Sequence, residues 1–111
     1  MARTPTTYDA FNAVAEPKRR QVLDLLGAQE LSVNEIVKAL GWTQPMVSKH
    51  LGVLKQVGLV SERRMGRQRL YRVNAEQLKL IHDWLTPFER YWSERYDRLE
   101  EVLQVIKEKE K

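Results

Sequence analysis

The sequence predicts a mainly α fold with one small β-hairpin, arranged as a winged helix-turn-helix. Three features carry this reading: two short helices joined by a glycine turn, an arginine-rich hairpin behind them, and a long amphipathic segment at the C-terminal side. A chain of 111 residues holds one domain, and about 100 residues bury a core without disulfides or metal.

The elements follow in order. Residues 1–7, with Thr4, Pro5, Thr6 and Thr7, read as a flexible tail. Residues 8–111 then read as a single domain. Tyr8, Phe11, Val14 and Ala15 recur at helical spacing and mark a short first helix. Pro17 suits the first position of a second helix, which buries Val22, Leu23, Leu25 and Leu26 and stops at Gly27. Ser32 and Glu35 form a capping box for a third helix whose apolar face is Val33, Ile36, Val37 and Leu40, ending at Gly41. Thr43 caps a fourth helix that runs to about Val57, with Gly58 just beyond its end and Pro45 in its tolerant first turn.

From Leu59 the pattern changes to strands. Residues 59–64 and 68–73 pair as a hairpin, and Met65, Gly66 and Arg67 make the turn. Asn74 and Gln77 start a further helix. Thr86, Pro87, Phe88 and Glu89 look like a second start, so Pro87 either kinks one long helix or separates two. Helical periodicity continues to near Ile106.

Charge is distributed unevenly. Residues 1–42 carry no net charge, residues 43–72 carry +6 and residues 73–111 carry −2. Solvated faces usually mix both signs, so a basic window of thirty residues points to an acidic partner. On a helical wheel Val47, Leu51, Leu54 and Gly58 form the buried stripe of the fourth helix. Opposite them lie Pro45, Lys49, Gly52 and Gln56, with Ser48 on the flank. Short side chains and polar donors suit close approach to a major groove of double-stranded DNA. Thr43 and Gln44 sit at the N-terminal tip, where such helices meet bases and phosphates. Arg63, Arg67 and Arg69 surround the hairpin turn, in a pattern suited to phosphates or a narrow minor groove. His50 falls at the border of the buried stripe. It serves either as a packed, hydrogen-bonded support, the preferred reading, or as a phosphate or base contact.

A second stripe runs through Ile81, Leu85, Phe88, Trp92, Tyr96, Leu99, Leu103 and Ile106, with spacings of 4, 3, 4, 4, 3, 4 and 3. This is a coiled-coil-like seam. It predicts a dimerisation helix over about 75–108, joined at the interface by Tyr8 and Phe11.

Other chemistries are poorly served. The absence of cysteine removes disulfides, thiolate ligands and cysteine nucleophiles. Ser48 and His50 are two apart on a helix and diverge, so they cannot pair as nucleophile and base. No phosphate-cradling glycine loop stands out, and no catalytic residue, metal site or cofactor is expected. No apolar run follows the first residues and none is long enough for a membrane span, so a cytoplasmic protein with no membrane partner is expected.

Three stretches together carry a resemblance. Val47-Ser48-Lys49-His50-Leu51, then Leu54-Lys55 with Gly58-Leu59-Val60, then Arg63-Arg64 with Gly66-Arg67 and Tyr71-Arg72-Val73, resemble the ArsR/SmtB family of winged-helix repressors. Phe11, Ala13, Ala15-Glu16-Pro17, Arg19-Arg20 and Val22-Leu23 with Leu25-Leu26 resemble that family's first helices. Trp84-Leu85, Pro87-Phe88 and Tyr91-Trp92 resemble a metal-independent branch, which includes autorepressors of the sporulation-delay type. The resemblance implies a homodimer on a pseudo-palindromic operator, released by a signal such as a small molecule or a protein inducer. Two departures matter. Where metal-sensing members carry two cysteines this chain has Glu30-Leu31-Ser32-Val33-Asn34, and only His82 and Asp83 stand where a zinc set would need more ligands.

Overall fold

Asp9 opens the first helix by accepting the Asn12 N–H on its carboxylate at 2.7 Å. The computed structural model describes residues 9–109, so the expected tail over 1–7 and Tyr8 lie outside the described residues. Helix α1 spans Ala10–Ala15 and α2 spans Pro17–Leu26, with Pro17 in its first turn as expected. Arg19 Nε donates to Ala13 O at 2.7 Å and Arg20 Nη1 to Val14 O at 2.7 Å. The two guanidinium groups thus satisfy carbonyls that the end of a six-residue helix leaves without partners.

Strand β1 is only Leu31–Ser32 and precedes α3 at Val33–Leu40. The capping box forms as read: Glu35 N–H donates to Ser32 Oγ at 3.2 Å, and Ser32 N–H donates to Glu35 Oε1 at 3.0 Å. Helix α4 spans Gln44–Gln56, and β2 and β3 span Val60–Met65 and Gln68–Val73. The sheet is antiparallel in the order β1-β3-β2. Sequence reasoning did not include β1. Ser32 was visible only as a cap, and a two-residue strand shows no alternation to read. The extended backbone that capping requires also lets Leu31 and Ser32 pair with Tyr71 and Leu70.

Helix α5 spans Ala75–Lys109 and continues through Pro87, so that residue does not separate two helices. Thr86 Oγ1 donates to His82 O at 3.0 Å, one turn back, beside the position where the proline lacks an N–H. The chain packs as two units, one ending at Ile81 and the other beginning at His82. The first holds a core in which Val22, Leu26, Ile36, Val47, Leu51, Leu54 and Leu59 are fully buried. Val57, Val60 and Tyr71 close it from the helix end and the hairpin. The second is helical and carries a row of exposed apolar residues. No helix among the described residues is long and apolar enough to cross a membrane.

Candidate nucleic-acid interface

Thr43 caps α4, and its Oγ1 accepts the Met46 N–H at 3.4 Å. Pro45 has no N–H, so the Gln44 N–H remains as the first-turn donor for an anion. The tip thus offers fewer backbone donors than the sequence suggested. Thr43, Gln44, Pro45, Ser48, Lys49, Gly52 and Gln56 are exposed, while Val47, Leu51 and Leu54 are buried, which is the division the helical wheel predicts. A Cβ added at Gly52 would meet nothing within 4 Å, so the outer face is low and open there.

His50 does not belong to that open face. It is 6% exposed and packs near Trp42, with ring centroids 6.1 Å apart. This corrects its place among the surface contact candidates. It also departs from the picture of a hydrogen-bonded support, because its buried Nδ1 has no partner. Burial first, then Arg19 and Lys49, push its pKa below the ordinary value of 6.5, so the imidazole is held neutral.

The hairpin sorts the cations that the sequence could only count. Gly66 and Arg67 form a two-residue turn closed by Met65 opposite Gln68. Gly66 takes φ +63° and no non-glycine residue has positive φ, the sign pattern of a type II′ turn. Arg64 then lies directly opposite Arg69, and Arg67 occupies the tip. All three are exposed. Two like charges opposite one another on a strand pair disfavour the hairpin.

Arg63 is a different case. Its Nε and Nη2 hold the Glu30 carboxylate at 2.7–2.9 Å, linking β2 to the residue before β1. The same contact holds the Glu30 carboxyl below the usual carboxylate range. Arg63, among the candidate contacts, is therefore the one that already holds an ion pair within the protein. Lys55 is likewise engaged by Glu62 at 2.6 Å. Bonds from Lys55 and then Tyr71 lower the Glu62 pKa. Arg72 Nε donates to Ser61 Oγ at 3.3 Å. Lys49, Arg64, Arg67 and Arg69 remain as exposed cations with no ion pair among the described residues. Sequence reasoning missed Arg64 as a candidate. The expected three-residue turn at Met65-Gly66-Arg67 hid it: Met65 belongs to β2, and the two-residue turn at Gly66-Arg67 sets residue 64 opposite 69.

On the second unit, Phe88, Trp92, Leu99, Leu103 and Ile106 of the expected seam are all exposed, and Leu85 is half-buried. Trp84, Tyr91, Val102 and Val105 widen the apolar surface. Phe11, on the first unit, is 42% exposed. The Tyr96 side chain lies outside what the structure describes. His82 Nδ1 lies 3.4 Å from Asp83 and its Nε2 3.7 Å from Glu89. Among the described residues no group of three or more His, Asp or Glu side chains could hold a metal ion.

Comparison with known proteins agrees with this architecture. Residues 16–62 match the profile of the bacterial regulatory protein arsR family. The transcriptional repressor SdpR of Bacillus subtilis is 31% identical over 80 residues, covering 72% of this chain and 89% of the repressor. The crystal structure of the transcriptional regulator HlyU from Vibrio vulnificus superposes with a TM-score of 0.59 at 33% identity, covering 70% of this chain and 81% of that one. An ArsR-like transcriptional regulator from Rhodococcus superposes with a TM-score of 0.64 at 25% identity, covering 83% and 87%.

Proposed function

Because this chain belongs to the arsR family of bacterial regulatory proteins, we propose that it is a homodimeric transcriptional repressor that binds a pseudo-palindromic operator, including one in its own promoter. Helix α4 enters the major groove with Gln44, Ser48 and Lys49 toward the bases and phosphates. The hairpin tip lays Arg64, Arg67 and Arg69 against the backbone or minor groove. The α5 stripe, with Phe11, joins two copies. The supporting observation is the division of cations: among the described residues Lys49, Arg64, Arg67 and Arg69 have no ion pair, while Arg63 and Lys55 have one. Two copies make sense energetically, since one small module gains few base contacts and two half-sites add their free energies.

Catalysis has no support in this arrangement, since Ser48 is exposed and His50 is enclosed. The releasing signal is a small molecule or a protein inducer, acting in the cytoplasm. Titration of the protein's own promoter by fluorescence anisotropy, with footprinting, tests the reading. Protection of two half-sites roughly 10–11 bp apart and a steep fall in affinity with salt are expected. A shallow salt dependence, or equal affinity for random DNA at every salt concentration, would defeat it.

A further inference from the structure

A cleft of about 400 Å³ opens between the N-terminal ends of α2 and α4, lined by Glu16 and Lys18 on one side and Pro45, Met46, Lys49 and His50 on the other. We propose that this cleft seats a DNA backbone phosphate, with Lys18 and Lys49 as its cationic arms and the enclosed His50 ring as its wall. Lys18 thereby becomes a DNA contact outside the helix-turn-helix, on a helix the reading above leaves unused. The inference rests on the proposed operator binding and names a further phosphate contact for it.

Three observations carry it. First, Lys18 is held in position. Its Nζ lies 4.9 Å from the centroid of the Trp42 ring and 3.7 Å from Met46 Sδ, so the ammonium rests beside α4 instead of trailing in solvent. A cation over an aromatic face keeps its charge available for a further anion. Second, positive charge there is only partly compensated. Arg19, Lys49 and Lys18 all act on His50 in the same sense, and Glu16 alone opposes them. Glu16 is itself engaged as the α2 cap, accepting the Lys18 N–H at 3.3 Å. Third, His50 lines the cleft as a ring more than nine-tenths buried, so an anion seated there meets a fixed wall, and its charge would offset the crowding of cations.

The test compares wild type with Lys18→Met, which keeps the apolar stem against Trp42 and removes the charge. Affinity for operator and for random duplex is measured between 0.05 and 0.2 M salt. Each phosphate contact contributes a slope of about 0.9, and a dimer carries two Lys18 side chains. Over that fourfold rise in salt, wild type should therefore lose about 12-fold more affinity than the variant. The change should be the same on both duplexes. The ring resonances of His50, distinguishable from those of His82, should shift on adding duplex and stay unmoved by millimolar inorganic phosphate. Equal salt slopes for variant and wild type, with the wild-type slope still steep, would overturn the phosphate site and leave operator binding standing. A shallow wild-type slope would instead remove operator binding and this site with it. A His50 shift on inorganic phosphate alone would assign the cleft to a free anion and overturn the backbone contact. If Lys18→Met disturbs folding, Lys18→Gln with a matched thermal melt repeats the slope comparison.

Discussion

Arg63 and Glu30, thirty-three positions apart, close a two-pronged ion pair at 2.7–2.9 Å that ties strand β2 to the residue preceding β1. The pair separates Arg63 from the hairpin cations that have no ion pair among the described residues. It also separates two arginines that look alike in the sequence. Arg67, at the turn, has no such partner among the described residues. Arg67→Ala should weaken binding to all duplexes alike and lower the salt slope by about two units, one for each protomer of the dimer. Arg63→Ala should leave that slope within error of wild type, because its charge is already answered by Glu30. Salt-dependent anisotropy on the same DNA distinguishes the two, and a slope unchanged in Arg67→Ala would remove the hairpin from the interface.

The α5 stripe is tested by charge. Trp92 is 43% exposed within a row of other exposed apolar residues, an arrangement more typical of an interface than of a solvated helix. Trp92→Glu should produce a species of 13.1 kDa in sedimentation, with poor operator affinity from the loss of the second half-site. Persistence of dimers would show that the interface lies elsewhere.

Gly58 offers a test of the fold alone. It follows α4 with φ +82°, and a Cβ there would lie 3.2 Å from Gln77 Cγ. Both the backbone conformation and the neighbour oppose a side chain. Gly58→Ala should lower stability by about 1–2 kcal/mol, read as a reduced melting temperature. Adding Gln77→Ala should recover only the steric share, because the backbone conformation is unchanged.

His50 predicts a pH dependence whose sign follows from its burial. The folded protein favours the neutral ring, so its pKa lies below the unfolded value of 6.5. Above 6.5 both states are neutral and the contribution to stability is complete. As pH falls from 6.5 through the folded pKa, the unfolded chain takes up a proton that the folded one resists, and stability declines. Chemical denaturation across that window should show the decline in wild type and a flatter profile in His50→Phe. An equal decline in both would place its cause in other groups.

Much of the fold was legible locally. Caps at Ser32 and Thr43, prolines at helix starts and glycines at helix ends act through neighbours a few residues away. Their meaning therefore survives without knowledge of distant partners. The inward stripe of α4 was equally readable, since periodicity alone sorts Val47, Leu51 and Leu54 from Ser48 and Lys49. Strand β1 was not, because Leu31 and Ser32 become a strand only when β3 arrives beside them.

By itself, then, the sequence determined the order of helices and hairpin, the outward polar surface of α4, the basic window and the C-terminal apolar stripe. Tertiary structure alone decided which of the seven cations in that window remain available. It paired Arg63 with Glu30 and Lys55 with Glu62, enclosed His50 beside Trp42, and set Lys18 on the same ring. The physical reason is range. Helix signals come from backbone groups within one or two turns, whereas the fate of a charge depends on which distant segment the fold brings within about 4 Å of it.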